Sequence, residues 1–550
     1  MGCRTGRSRP RPGWTFAFLA CISACSAIVN IEDECSSDAD CVAGGACIDN
    51  LCLTPMCATD ADCGTGRGIC EVPTGATEGL CVERPLVEIA GDISGNLMWT
   101  SENDYLLTDE VFVQPGSVLT ILEDTRIYGT QTSALIFLRG ARIQADGSLD
   151  NPIIFTSSQP RGQRNPGDWG GIALLGTETV NANAPDDQNG TEDLEGVVDP
   201  RAVYGPYTQS ELDAFTSQGI TLAPTCGVME FVRVEFAGSE VGEGNELNGI
   251  TLGGCNNQTT LDFVQVHRGL DDGIEFFGGA ANLRHAVISQ SGDDGLDWDF
   301  GWKGFGQFII VQQRPESDDR SIEADSNGRE VNALPRSSPQ LYNMTLVADP
   351  NAVMQASQAA FLREGTAGTI ANTFVFGHRE GGFFFNGGAT QRCLAVGFGQ
   401  ISDQECTTLS LNGPAPEPST TRLIVESVVF QQLGAGAINP VDANLEEVPS
   451  DDLNFDQLDV SSAVLESANI VVLSTTNPQL ANPLSVTEPD FAPVSSADIV
   501  GGNNEDVTAV QPPDDQEFGF FDSSATFIGA IPFGGEEVDW TRGWTAYPAN

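Results

Sequence analysis

Lysine is almost absent from this chain: Lys303 stands alone among 550 residues. Histidine is scarce too, limited to His267, His285 and His378. With 77 acidic residues against 25 basic ones the formal charge is −52, and a surface of that sign repels nucleic acid and anionic lipid headgroups. A polyanionic partner would need bridging cations. No Gly-x-Ser-x-Gly elbow, phosphate-binding loop or His-Glu-x-x-His helix occurs, so the common hydrolase and nucleotide-binding signatures are missing. The apolar run from Trp14 to Ala24 is too short to span a bilayer. Hydrophobic residues nevertheless make up 40% of the chain, and their periodicity argues against disorder.

Arg4, Arg7, Arg9 and Arg11 precede that short run, the layout of an export signal over residues 1–24. Ile22-Ser23-Ala24-Cys25 resembles the lipobox of bacterial lipoproteins, which implies that Cys25 is lipidated and that 25–34 is a linker behind it. Phe18-Leu19-Ala20-Cys21 matches less well. Cysteine arithmetic agrees: of 15 cysteines, loss of Cys3 and Cys21 and lipidation of Cys25 leave 12, which can all pair. Ser26 behind the cysteine, by the same resemblance to Gram-negative lipoproteins, implies a lipid anchor in the outer membrane and exposure at the cell surface. Free secretion is the alternative.

Eight cysteines fall between residues 35 and 82 in two similar halves: Cys35, Cys41, Cys47 and Cys52, then Cys57, Cys63, Cys70 and Cys81. Neither half is large enough to hold a core, so two disulfides in each are expected to staple it, with connectivity open. Zinc is the competing reading, opposed by export and by the absence of C-x2-C pairs. The pattern resembles short EGF-like or Dickkopf-like knots of exported bacterial proteins. Asp38, Asp40, Asp60 and Asp62 either touch calcium or cap tight turns.

The rest of the chain is organised around one repeat. Phe263 to Gly279 reads FVQVHRGLDDGIEFFGG, and HAVISQSGDDGLDWDFG follows 22 residues later, so Asp271-Asp272 recurs as Asp293-Asp294. A looser copy places Ile322-Glu323-Ala324 after Asp318-Asp319. A period of this length marks a solenoid, and β-branched and aromatic residues alternating with polar ones mark strands. The fold class expected is all-β, a parallel β-helix over 113–440 behind the disulfide-rich module. Residues 83–112 are expected to cap its start and a loop-rich stretch, 441–550, to cover its last rung. Leu135, Phe137, Ile143, Ile153 and Phe155 are candidates for the inner face. Residues 181–224, rich in Asp, Asn, Pro and Gly, read as a long loop on one side, where ligand contacts gather. Cys226 with Cys255 and Cys393 with Cys406 are the expected remaining disulfides.

SALIFLRGARIQADGSLDNPIIFTS, DWGGIALLG, GVMEFVRVEFAG, GLDDGIEFFGG and the closing DWTRGWTAYP resemble the right-handed β-helix lipoproteins and surface proteins exported by Gram-negative bacteria. The likeness covers about residues 95 to 547 and implies fold and location more than chemistry. A right-handed coil also agrees with the handedness of parallel crossovers.

If Ile274, Phe276, Leu296, Trp298, Ile322 and Ala324 face inward, alternation sends Glu275, Asp297, Asp299, Glu323 and Asp325 outward. Successive rungs lie about 4.8 Å apart, so these form a carboxylate ladder beside the bend that carries Asp271, Asp272, Asp293 and Asp294. Three readings compete. The ladder is solvated and the aspartates cap bends; or it binds calcium, a hard cation suited to oxygen ligands outside the cell; or carboxylates such as Asp272 and Asp294, with Arg268 as a base, act on a polysaccharide. Polygalacturonases and pectate lyases share this coil, and DDG resembles the Asp-Asp stretch of polygalacturonases. Their Gly-His-Gly and Arg-Ile-Lys segments have no counterpart, and Gly377-His378-Arg379 is a partial echo. Arg284 and Lys303 are further cations near the DDG segments. Trp298, Trp302, Phe305 and Phe383-Phe384-Phe385 are either sugar-stacking faces or core. The three histidines read as structural. A non-catalytic surface scaffold that binds carbohydrate or another envelope component is the leading expectation; a pectin-lyase-like polysaccharide lyase or hydrolase, calcium-dependent or not, is the runner-up.

Overall fold

The computed structural model describes residues 46–48, 51–53, 56–72, 79–182, 190–242, 245–316, 319–352, 358–397, 422–433, 438–439, 468–514 and 519–550. The chain divides into two units, Met1–Glu83 and Arg84–Asn550. Cys25, Cys35, Cys41, Cys406 and Asp318 lie outside the described residues, as do the side chains of Cys47 and Cys52.

In the small unit, Met56–Cys57, Ile69–Glu71 and Gly79–Val82 form an antiparallel three-stranded sheet. It is stapled by Cys57–Cys70 and Cys63–Cys81. The cysteines of this half therefore pair first with third and second with fourth. Asp62 accepts the amides of Ala58 and Thr59, and Asp60 accepts that of Cys70. Asp62 caps its own turn, and Asp60 ties that turn to the strand Ile69–Glu71.

The large unit is a parallel β-helix with three faces. Face A starts with Asn96–Trp99, Val118–Leu122 and Arg142–Asp146, and face B with Leu86–Ile89, Asp104–Leu107, Arg126–Gly129 and Ile153–Ser157. Face C stacks Glu110–Val113, Ala134–Phe137, Ile172–Leu175, Ile250–Gly253, Ile274–Phe277, Leu296–Asp299, Ile322–Ala324, Gln358–Leu362 and Gly381–Phe385. From Gly227–Glu235 onward, faces A and B are halves of one long strand per rung. Each such strand turns at a single left-handed residue: Phe231, Phe263, His285, Phe308, Asn343, Asn372 and Ser427 have φ between 46° and 61°. A bulky residue there is strained. Ring stacking up the coil offsets the strain, with centroids at 4.4 Å (Phe231–Phe263), 4.2 Å (Phe263–His285) and 4.9 Å (His285–Phe308). The strands Leu86–Ile89 to Glu110–Val113, expected as a cap, already pair in register with the coil, which therefore begins earlier than its clear periodicity.

One continuous apolar column fills the axis. Leu135, Phe137, Ile143, Ile153 and Phe155 lie in it, as do Ile274, Phe276, Leu296, Trp298 and Ile322. Trp302 joins them, stacked on Phe276 at 4.1 Å. Cys226–Cys255 is formed, and Cys393 is disulfide-bonded.

Two expectations about the surroundings of the coil change. The insertion 181–224 is not a bare loop: it contains a helix, Gln209–Gln218, capped by Thr208 with Glu211 in a reciprocal box, and a short ladder of Glu192–Asp193 with Val203–Tyr204. Its Leu194, Val197 and Tyr204 pack on Ala173, Leu175 and Phe277, outside face C. The described part of the C-terminal stretch, from residue 468 onward, lies along the coil. Val471–Leu473 adds to face B, and the chain then runs back along the outside of faces A and B until Gly162 N–H donates to the carbonyl of Asn550. Outward Val287, Ile310, Val347, Phe374 and Val429 pack against its Leu480, Phe491, Ile528 and Ile531. Side-chain amides of Gln265, Gln290, Gln312, Asn343, Asn372 and Gln431 donate to its backbone carbonyls. Apolar outward residues need a cover, and the amides satisfy carbonyls that a returning strand without ladder partners would leave bare.

Candidate ligand cleft on the acidic face

The repeat brings its acids together as its length requires. Ile274 pairs with Leu296, Glu275 with Asp297, Phe276 with Trp298 and Phe277 with Asp299; one rung on, Leu296 pairs with Ile322. At the preceding bend, Asp272 Oδ1 accepts the amide of Asp294 at 2.9 Å, and Asp294 Oδ1 accepts that of Arg320 at 2.7 Å. Each second aspartate of a DDG triplet thus ties its bend to the next. The glycine is required by close approach: a Cβ on Gly273 would lie 2.3 Å from Ile288 Cγ2. Asp272 and Asp294, catalytic candidates by sequence, are therefore buried in backbone bonding, at 7% and 2% exposure.

The file itself is not simply solvated. Glu275 is buried, Asp297 and Asp299 are half-buried, and burial disfavours the charged form and so raises their pKa. Asp272, Glu275, Asp294, Asp299 and Asp325 are all pushed well above the ordinary carboxylate range, by desolvation first and by neighbouring carboxylates second in most cases. Desolvation and the charge of Glu323 push Asp297 up to about 7. Desolvation and Asp319 push Asp293 up to about 8.

Sequence reasoning missed the two cations that meet this file. Arg320 Nη1 lies 2.7 Å from Glu323, 3.0 Å from Asp319 and 3.6 Å from Asp294. Arg363 Nη2 lies 2.9 Å from Glu323 and 2.8 Å from Asp325. Both guanidiniums sit over the ring of Phe361, which follows Glu323 in the same file. Arg363 stands far from any DDG triplet in sequence; only the rung length places it here. The cations named from sequence go elsewhere. Arg268 feels the charges of Arg314 and Glu316, Arg284 lies over Phe308, and Lys303 is exposed.

Above the file the insertion raises a wall. Glu192 to Val198, Tyr204, Glu275, Asp297, Asp299, Glu323, Asp325, Arg329 and Arg363 enclose a cleft of about 730 Å³. At its foot the donor set suits a hard cation. Ligand oxygens of Asp272, Glu275 and Asp297 lie within 4.8 Å of one another, as do those of Asp271, Asp272 and Asp293 and those of Asp293, Asp294 and Asp319. Asn248, on the rung before Asp272, donates through Nδ2 to Glu275. Its Oδ1 and the Oδ1 of Asp297 are buried and accept no hydrogen bond among the described residues. Oxygen atoms left this way are what a cation would satisfy.

The remaining candidates are structural. Trp298, Trp302, Phe383 and Phe385 are core, and Phe305 packs on Phe521 of the returning segment; Phe384 alone of its run points outward, half-buried. His267 is enclosed between Ser289 Oγ and the carbonyl of Pro548, and burial holds it down to about 4. His285 bonds Asp262, and His378 bonds Ser321.

A parallel β-helix with an acid-floored cleft on one face is thus the class that fold and site define. The chain belongs to the pectate-lyase-like β-helix domain family, whose model matches residues 91–437. No curated protein and no solved structure matches it.

Proposed function

We propose that this chain is a non-catalytic surface protein, exported and lipid-anchored through Cys25 in an outer membrane, whose β-helix binds carbohydrate or another envelope component in the acidic cleft. Calcium held by Asp272, Glu275 and Asp297, with Asn248 beside them, bridges protein and ligand. The observation that supports this best is the outward file Glu275–Asp297–Glu323 beneath the insertion wall, with Asp297 Oδ1 and the neighbouring Asn248 Oδ1 buried and unmatched among the described residues. A run of buried like charges is unfavourable unless protonated or met by a cation, and hydroxyl-rich ligands complete a calcium shell readily. The test is a glycan array with the mature chain, with and without calcium, repeated on Glu275→Gln with Asp297→Asn. Calcium-dependent binding lost in the double variant supports the reading; binding indifferent to both rejects it.

One observation favours polysaccharide cleavage as a second reading. Asp297, raised to about 7, lines the same cleft as Arg363, and a group titrating near neutrality is suited to proton transfer. New reducing ends or unsaturated products from a polysaccharide panel, absent with Asp297→Asn, would establish it.

A further inference from the structure

The side wall of the acidic cleft carries a row of rings that the acid file does not explain. Leu252 of face C points into the core, so Gly253 after it faces outward. A Cβ on Gly253 would lie 2.5 Å from Tyr204 Cγ; the missing side chain is what seats this tyrosine of the insertion against the coil. Tyr204 stacks on Phe277 at 5.7 Å, and Phe277 on Phe300 at 5.7 Å. All three line the cleft, and half-buried Phe300 is the open end of the row.

The polar end of the row is unmatched. Tyr204 is 1% exposed, and its Oη takes part in no hydrogen bond among the described residues, nor is that oxygen sealed from solvent. Among the described residues no other side chain in the lining carries a hydroxyl. Burial first, then the charges of Glu192 and Glu275, push its pKa well above the ordinary phenol value, so it keeps its proton and donates. A buried donor that opens on a cleft and meets no acceptor of the chain calls for one from a ligand.

Charge narrows the ligand further. Eight carboxyl groups and two guanidiniums line the cleft. Arg363 is already shared by Glu323 and Asp325, and Arg329 is partnered as well. Neither is free to receive a carboxylate, and an acid on the ligand would add to the repulsion that one calcium ion only partly offsets.

We propose that the cleft selects a neutral sugar unit and rejects uronates: sugar hydroxyls complete the calcium shell, Tyr204 Oη donates to another sugar oxygen, and the apolar ring face lies on Phe300. This rests on the calcium-bridged binding proposed above and adds which sugars it admits.

Titration calorimetry of the mature chain with matched tetrasaccharides, in calcium and in chelator, tests it. Galacturonate, mannuronate and glucuronate tetramers are each paired with the carboxyl-reduced form of the same linkage, so that the members of a pair differ only at C6. At least one neutral member is expected to bind in calcium, at least tenfold more tightly than its uronate. Tyr204→Phe keeps the ring row and removes the donor. It is expected to weaken that binding about tenfold, the size of one well-placed hydrogen bond, at an unchanged melting temperature. A uronate that binds in calcium as tightly as its neutral counterpart, or neutral binding undiminished in Tyr204→Phe, overturns this inference and leaves calcium-bridged binding standing. Binding of no tetramer, or binding that chelator does not weaken, removes both.

Discussion

Glu275 and Asp297 occupy the same position on consecutive turns of the coil, side by side in the face C ladder, and both are held above the ordinary carboxylate range by burial before any other cause. Two carboxylates in that relation can share a proton or a cation, but both cannot stay charged and bare.

The first prediction concerns metal. Calcium at a hundred times its dissociation constant is expected to stabilise the mature chain by ~2.7 kcal/mol, as for any ligand of the folded state alone. Glu275→Gln with Asp297→Asn should remove that response and raise the melting temperature in chelator. Scanning calorimetry with calcium and with chelator checks both; an undiminished calcium shift in the double variant would rule out the site.

The pH dependence has a definite sign. A carboxylate whose folded pKa is raised binds more protons in the folded state, so stability falls as pH rises from the unfolded value toward the folded one. For Asp297 that window runs from 3.8 to about 7, and for Asp293 from 3.8 to about 8. Melting temperature in chelator should therefore drop by several degrees between pH 5 and pH 8, and calcium should flatten the slope. A flat or rising profile in chelator contradicts the buried file.

Arg363 is the cation that Glu323 and Asp325 share. Its side chain is 34% exposed, so Arg363→Ala should cost about 1–3 kcal/mol, below the full penalty for leaving buried charges unpaired. Chemical denaturation measures it, and Arg363→Lys should recover only part because the fork to Asp325 is lost.

Trp544 is fully buried in the returning segment, edge-on to Phe231 at 5.9 Å and Phe263 at 6.1 Å. Trp544→Ala should cost about 3–5 kcal/mol and speed hydrogen exchange from Phe231 to His285. A loss under about 1 kcal/mol would mean that the segment is not part of the folded coil.

The fold was legible because a solenoid writes its geometry into its period. The spacing of Asp271 and Asp293 alone predicts that Glu275 meets Asp297, and strand alternation predicts which of Ile274, Glu275 and Phe276 turns inward. The capping box of Thr208 and Glu211 was also present to be read, but a composition rich in loop-forming residues hid it. Three features were not legible. Arg320 and Arg363 reach the acids through rungs whose lengths vary with loops, so no fixed spacing announces them. The returning segment is specified by apolar residues on the outer face, such as Val287 and Ile310, which strand alternation cannot distinguish from core.

Sequence by itself determined the coil, its inner column and the line of acids, because local alternation and a constant repeat length dictate them. Tertiary structure alone decided that the acids are buried under a wall, that two arginines answer them and that the tail lies lengthwise. Those depend on which surfaces meet across long separations, where burial and desolvation act between segments that carry no common pattern.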